Sequence, residues 1–260
     1  MRILITNDDG IYSPGIFAIA GELAKEHSVT VVAPDVQRSA CGHAITMNIP
    51  LTVEKHRMHG MEGLEAYVTN GTPADCVKLA LAQLMKEKPD LVISGINKGP
   101  NVATDILYSG TVSAAIEGAV LGCPSVALSI DSHMPEYYGD TALFFSRFIA
   151  AYDILKLPRD IILNINLPDM PLSEIKGVAA VPQGLTKYTD EFAVRNHPRG
   201  YTYYWLAGEL VPPEEGGQDT DIKLLRKGYA VMTPLKYNLT DFEYLQKLHS
   251  DLKNFRLQTV

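Results

Sequence analysis

Met1-Arg-Ile-Leu-Ile-Thr-Asn-Asp-Asp-Gly-Ile-Tyr-Ser-Pro-Gly15 is the stretch from which the fold can be read. Arg2 to Thr6 is a short apolar, β-branched run, the pattern of a buried strand. It stops at Asn7-Asp8-Asp9-Gly10. Neighbouring residues on a strand point to opposite faces, so Asp8 and Asp9 converge only where the backbone turns. Gly10 and Pro14-Gly15 supply such a turn. Two crowded carboxylates disfavour each other's ionisation, and a bound cation relieves that repulsion. The plainer alternative is a polar turn whose aspartates cap the next helix.

Outward from this stretch, strand and helix alternate. Ile16 to Glu26 has helical spacing, Val29 to Ala33 reads as a second buried strand, and Pro34 ends it. The polar loop Asp35 to His43 follows, then two extended segments, Ile45 to Val53 and Leu64 to Val68. Thr72-Pro73-Ala74-Asp75 opens a helix expected to reach about Glu87, with Thr as N-cap and Pro at the first position. Asp90 to Ser94 is a strand, Gly95 to Gly110 a long loop, and Thr111 to Leu121 a helix of small residues suited to close packing on a sheet. A strand at Pro124 to Ile130, a helix from Glu136 to Ala151 and a strand at Ile161 to Asn166 complete the alternation. Continuous apolar strands separated by helices predict a mostly parallel α/β sheet covered on both faces.

The character changes after about Lys176. Tyr188 to Leu210 is rich in aromatic residues and reads as a hairpin, and Pro212 to Gly217 as a loop or linker. A helix over Asp219 to Lys227, a strand over Tyr229 to Leu235 and an amphipathic helix over Asp241 to Leu252 close the chain. The expected division is a catalytic domain over 1–176, its sheet completed by 229–235, and a smaller region over 177–260.

The 260 residues suffice for one large α/β domain with a sizeable core, given 46% hydrophobic and 20% charged residues. A net charge of −7 argues against a nucleic-acid polymer as partner. No run is long and apolar enough for a membrane span, and no signal peptide precedes the first strand. Cys41, Cys76 and Cys123 are far apart and odd in number, which fits a reducing cytoplasm rather than a disulfide framework.

In an open parallel sheet, ligands bind beyond the carboxyl ends of the strands. Three polar loops belong there, offering Asp8 and Asp9, the hydroxyl of Ser39 and the amides of Asn97 and Asn101. These hard oxygen donors suit Mg²⁺, Mn²⁺ or Ca²⁺. His43 reads as a hydrogen-bonding neighbour rather than a ligand. Ser109-Gly110-Thr111 precedes the Ala-rich helix, where free N–H groups favour an anion, although an ordinary N-cap explains the same residues. There is no Gly-x-Gly-x-x-Gly, no P-loop and no Gly-x-Ser-x-Gly elbow, and no arginine closely follows Cys41 as a cysteine phosphatase would need.

Several stretches together resemble one family, the stationary-phase survival protein SurE, a metal-dependent nucleotidase. They are Ile-Thr-Asn-Asp-Asp-Gly at 5–10, Val-Ala-Pro-Asp at 32–35, Arg-Ser-Ala-x-Gly-His at 38–43, Gly-Thr-Pro-Ala-Asp-Cys at 71–76, Ser-Gly-Ile-Asn-Lys-Gly-Pro-Asn at 94–101 and Ser-Gly-Thr-Val at 109–112. The likeness is dense from Met1 to about Ile130 and looser beyond. It implies a Rossmann-like αβα sandwich with a smaller C-terminal part, a hairpin arm and terminal helix that exchange between subunits of a homodimer or a tetramer built from dimers. It implies one divalent cation, Mg²⁺ or Mn²⁺, on Asp8, Asp9, Ser39 and Asn97, and hydrolysis of nucleoside 5′-monophosphates, with 3′-monophosphates as further candidates.

The expected mechanism is direct attack by water. Asp8 or Asp9 orients it, Asp8 being favoured. Asn97 and the Ser109-Gly110-Thr111 nest hold phosphate oxygens, with Ser39 and Asn101 alongside. Attack by an aspartate itself is the competing route, but no Asp-x-Asp motif supports it. Two rivals from other classes are a non-catalytic nucleotide sensor and a metal-dependent transferase acting on a sugar nucleotide.

Overall fold

The structure is a computed structural model that describes residues 1–189, 191–211 and 217–255. Its elements in chain order are β1 (Arg2–Thr6), α1 (Pro14–Leu23), β2 (Ser28–Pro34), β3 (Val53–Lys55), β4 (Glu65–Thr69), α2 (Pro73–Leu79), β5 (Leu91–Lys98), α3 (Gly110–Val120), β6 (Ser125–Asp131) and α4 (Tyr138–Ala151). They continue with β7 (Ile161–Pro168), β8 (Val178–Ala180), β9 (Lys187–Tyr188), β10 (Phe192–Asn196), β11 (Thr202–Leu206), β12 (Leu210–Val211), α5 (Asp221–Arg226), β13 (Ala230–Lys236) and α6 (Phe242–Asp251).

Nine strands form one sheet in the order β3-β4-β2-β1-β5-β6-β7-β13-β8. The run from β4 to β7 is parallel, while β3 and β13 pair antiparallel at its two sides. From β1 the chain builds outward first to β2 and β4, then in the other direction to β5, β6 and β7. The direction of winding therefore switches between β1 and β5, and a crevice opens above such a switch at the carboxyl ends of the strands.

Alternation along the strands makes two cores. Ile3 and Ile5 face α1 and α4 together with Ile16, Ile19, Phe145 and Ile149, whereas Leu4 faces α2 and α3 with Val32, Val77, Val92 and Ala114. All of these are buried. Close approach explains the small residues: a Cβ on Gly15 of α1 would stand 2.0 Å from Ile96 O, and one on Gly118 of α3 2.4 Å from Ser125 Oγ. These glycines let both helices lie against the sheet near its switch.

Several expectations are corrected. The segment 45–52 is not a strand; only Val53–Lys55 pairs with β4. Its backbone is tied instead to side chains, Thr46 N donating to the Asp75 carboxylate at 3.1 Å and Thr52 N to Asn70 Oδ1 at 2.9 Å. The helix after Thr72 is shorter than expected. It has the anticipated start, a reciprocal pair of Thr72 and Asp75 bonds, but passes into one π turn over Ala80–Leu84 and stops. Pro89 follows shortly, and a residue before proline is disfavoured in helical geometry.

The strand expected to end at Ser94 runs on to Lys98 through an irregularity in its pairing with β6 between Ser94 and Asn97. Asn97 thus stands at a strand end, not in a loop. The small strand β8 was not anticipated. Residues 212–216 of the expected linker lie outside the described residues.

Beyond β8 the chain leaves the sheet as a ribbon. β9 pairs with β12 and β10 with β11, carrying Phe192, Tyr204 and Trp205 well exposed. Helix α6 buries none of its residues.

Candidate active site

Asn7 fixes the turn after β1. Its Oδ1 accepts from Gly10 N at 3.2 Å, while its Nδ2 donates to Gly10 O at 3.0 Å and to Ser13 Oγ at 2.7 Å. Gly10 has φ +92°, which glycine adopts without steric cost. This latch turns the next two side chains inward above the switch between β1 and β5.

Asp8 is buried, and its Oδ1 accepts from Thr111 Oγ1 at 2.6 Å. Its backbone oxygen accepts from Arg38 N at 2.7 Å, which fixes the approach of the loop carrying Ser39. Burial pushes the Asp8 carboxyl up from 3.8 to about 6; the Thr111 hydroxyl opposes the rise and the Asp9 charge adds to it. Asp9 Oδ2 accepts from Lys98 N at 3.0 Å. Burial raises Asp9 too, against the Lys98 amide and charge. Asp9 Oδ1 is buried with no hydrogen-bond partner; the Lys98 ammonium stands 3.9 Å away, within ion-pair range but too far for a hydrogen bond.

The other donors arrive on neighbouring strand ends. Asn97 precedes Lys98, and its Nδ2 is committed to Gly99 O at 2.7 Å, so its oxygen is what it offers outward. Ser39 is exposed, with Oγ accepting from Gln37 Nε2 at 2.6 Å, and Gln37 Oε1 in turn accepts from Lys98 Nζ at 3.3 Å. The loop from Asp35 to Thr46 is anchored at several points. His43 bonds to Glu117 at 2.9 Å, and Lys78 donates to the same carboxylate at 2.7 Å. The His43 bond, then Lys78, hold Glu117 below its usual range against its burial.

Ser109 caps α3, its Oγ accepting from Val112 N at 3.0 Å. Gly110 is pressed against the site: a Cβ there would lie 2.9 Å from Cys41 Sγ and 3.0 Å from Asp8 Cβ. The anion at this helix start is therefore the Asp8 carboxylate, bonded by the hydroxyl of Thr111. Asn101 is turned toward β6 and β7. Its N donates to Asn166 Oδ1 at 2.7 Å, its Nδ2 to Ser129 Oγ at 3.0 Å, and its O accepts from Asn164 Nδ2 at 2.8 Å.

Sequence reasoning passed over Asn7 and Gln37 as organisers of this centre, and read Lys98 only as positive charge beside a phosphate or as a solvated surface residue, not as a partner of Asp9. Asn7 had a signal, since Asn followed by Gly three residues on is a turn that holds itself by its side chain; the roles of Lys98 and Gln37 depend on cross-loop geometry.

A cavity of about 210 Å³ opens beside Asp9, lined by Tyr12, Ser13, Asp35, Lys98 and Tyr138. Among the described residues no group of three or more His, Cys, Asp and Glu is arranged to hold an ion. A cation here would draw on neutral oxygens as well as the two carboxylates. The donor set fits a hard divalent ion: paired buried carboxylates that repel each other, one carboxylate oxygen without a partner, and nearby hydroxyl and amide oxygens.

The chain is similar over nearly its whole length to several known proteins. The family model described as survival protein SurE matches residues 3–190. A protein named 5′-nucleotidase SurE from Carboxydothermus hydrogenoformans is 47% identical over 262 residues, covering 97% of each chain. Another of the same name, from Kosmotoga olearia, is 46% identical over 253 residues, covering 97% of this chain and 99% of that one. The crystal structure of SurE protein from Aquifex aeolicus superposes with a TM-score of 0.81 at 37% identity, over 96% of this chain and 99% of that chain.

Proposed function

Since this chain belongs to the survival protein SurE family, we propose that it is a 5′-nucleotidase, a phosphomonoesterase that releases phosphate from nucleoside 5′-monophosphates. One divalent cation, Mg²⁺ or Mn²⁺, held by Asp8, Asp9, Ser39 and Asn97, is its cofactor in this reading. The single observation that carries the metal assignment is the buried, unpartnered Oδ1 of Asp9 beside a second buried carboxylate. The Lys98 ammonium at 3.9 Å offsets part of this charge but makes no hydrogen bond to it, and two adjacent buried carboxylates call for a further cation.

When bound, the ion supplies Lewis acidity to a phosphoryl oxygen and to a water. The chain's own residues do the rest. Thr111 holds Asp8 Oδ1, so Oδ2 is left to orient the attacking water in line with the leaving oxygen. Lys98 N holds Asp9 Oδ2. In this reading Ser39 and Asn97 border the phosphate, whereas the expected nest Ser109-Gly110-Thr111 is taken up with Asp8 and supports it from behind, and Asn101, bonded to Ser129, Asn164 and Asn166, holds the adjoining loop. The Lys98 ammonium adds positive charge at the mouth of the cavity, where the nucleoside has room.

A homodimer, or a tetramer built from dimers, is the assembly this reading takes. It is supported by the exposed aromatic ribbon β10–β11, since a lone two-stranded ribbon is marginal in water. A division at about residue 176 is kept in this reading, with the sheet of the catalytic part completed by 229–235 and the ribbon and terminal helix of 177–260 serving assembly. No helix among the described residues is long and apolar enough to cross a membrane, and Cys41, Cys76 and Cys123 are free thiols, which supports a cytoplasmic setting.

The test is release of inorganic phosphate from AMP with Mg²⁺ or Mn²⁺, its loss on adding EDTA and its return with excess metal. No release under any divalent ion would overturn the enzyme reading, and release indifferent to EDTA would overturn the metal assignment.

A further inference from the structure

The loop from Gly99 to Ser109 joins Asn97 to the start of α3, so its shape sets how far apart the two ends of the site stand. Its midpoint is held by residues from far along the chain. Asp221 is fully buried and bonds to none of the groups around Asp8 and Asp9. Its Oδ1 accepts from Gly184 N at 2.8 Å and from Ile222 N, the next amide of its own short helix, at 2.7 Å. Its Oδ2 is given to Ala103 N at 2.8 Å.

Ala103 O accepts from Gln183 Nε2 at 2.7 Å, so both backbone polar groups of Ala103 are taken from the far end of the chain. Thr104 Oγ1 donates to Thr186 O at 2.8 Å and accepts from Thr186 N at 3.1 Å. Ala103 has φ 52°, the left-handed region that a residue with a Cβ occupies only when its surroundings impose it. The clamp is what imposes it.

We infer that Asp221 is a positioning residue for the phosphatase reaction: with Gln183 it fixes residues 101–105 and so the spacing between Asn97 and the Ser109–Thr111 turn. The inference rests on the functional reading of the site given above. An asparagine at 221 keeps a single oxygen. Using it for Gly184 and Ile222 turns the amide NH₂ toward the Ala103 N–H, so the loop loses its Asp221 anchor while the bonds at the start of α5 are kept.

The experiment compares wild type, Asp221→Asn, Gln183→Leu and a remote core truncation in α4, Ile149→Ala, as a stability control. Hydrogen exchange across 99–111, melting temperature, and kcat and KM for AMP well below the transition are measured on each. Asp221→Asn and Gln183→Leu should speed exchange in that segment by about tenfold or more. They should lower kcat by roughly ten- to a hundredfold, more than they change KM, because misplacement of a supporting loop acts on the reacting geometry.

Ile149→Ala should keep wild-type kcat and wild-type exchange there whatever its melting temperature. Gln183 is exposed, so its variant carries the test if Asp221→Asn does not fold. Wild-type exchange over 99–111 in the folded clamp variants, or losses of kcat no larger than the control's, would overturn the inference. If wild type itself releases no phosphate from AMP, the enzyme reading fails, and exchange alone decides the clamp.

Discussion

Replacing Asp8 by asparagine should make the metal-free protein more stable at neutral pH. The folded carboxyl is pushed up from 3.8 to about 6, chiefly by burial. Below about pH 3.8 the folded and unfolded chains both hold the proton, and the group contributes its full stability. Between 3.8 and about 6 only the folded chain holds it, so stability declines as pH rises. Above about 6 both are ionised and the whole penalty stands. A rise from 3.8 to about 6 corresponds to ~3 kcal/mol.

For a chain of this size that is roughly 6–12 °C in melting temperature. Asparagine does not titrate, and its oxygen can still accept the Thr111 hydroxyl. The assay is urea denaturation in EDTA at a series of pH values from 4 to 8, wild type against Asp8→Asn. The stability of wild type minus that of the variant should fall by about 3 kcal/mol across this range. Adding Mn²⁺ at about a hundred times its dissociation constant should return ~2.7 kcal/mol to wild type, and far less to the variant. A difference that stays flat with pH would refute the argument that an ionised, uncompensated carboxylate burdens the empty site.

Thr111→Val removes the donor to Asp8 and strands a buried oxygen, so we expect a loss of about 1–3 kcal/mol by denaturation and a further rise of the Asp8 carboxyl, read from the same pH series. Replacing the ribbon 192–206 by a short Gly-Ser turn should yield smaller particles by light scattering with unchanged helix content. An unaltered mass would show that the ribbon takes no part in assembly.

How far the sequence carried depended on whether the controlling contact was local. The strand ending at Thr6, the turn at Asn7–Gly10 and the Thr72–Asp75 helix start are each governed by residues within a few positions of one another. All were legible. Where the chain's hydrogen bonds go to distant side chains, the reading failed. Residues 45–52 have the apolar alternation of a strand, yet Asp75 takes the N–H of Thr46 and Asn70 that of Thr52. The extension of β5 to Lys98 rests on β6, which lies beyond a whole helix. In the candidate site, residue types announced the chemistry, but not which hydroxyl faces which carboxylate. Thr111 meets Asp8 across 103 residues of chain, and Asp221 reads in sequence as an ordinary first residue of a helix.

The two borders of the large sheet have a consequence for how the protein can aggregate. On one side the last strand, β3, is three residues long and carries Glu54 and Lys55. On the other, β8 pairs only with Ala230–Met232 of β13, leaving the later part of that strand, with Pro234 and Lys236 exposed, without a neighbouring strand on that side among the described residues. Pro234 stands in this uncovered stretch while paired across to Leu163 of β7. A proline tolerated in a ladder turns its missing donor away from its partner, here toward the bare border. An incoming strand would meet a gap in the row of N–H groups at one end of the sheet and a short, charged stub at the other. Copies of this chain are thereby steered away from stacking edge to edge into open-ended fibres, and their association is left to surfaces that close on themselves.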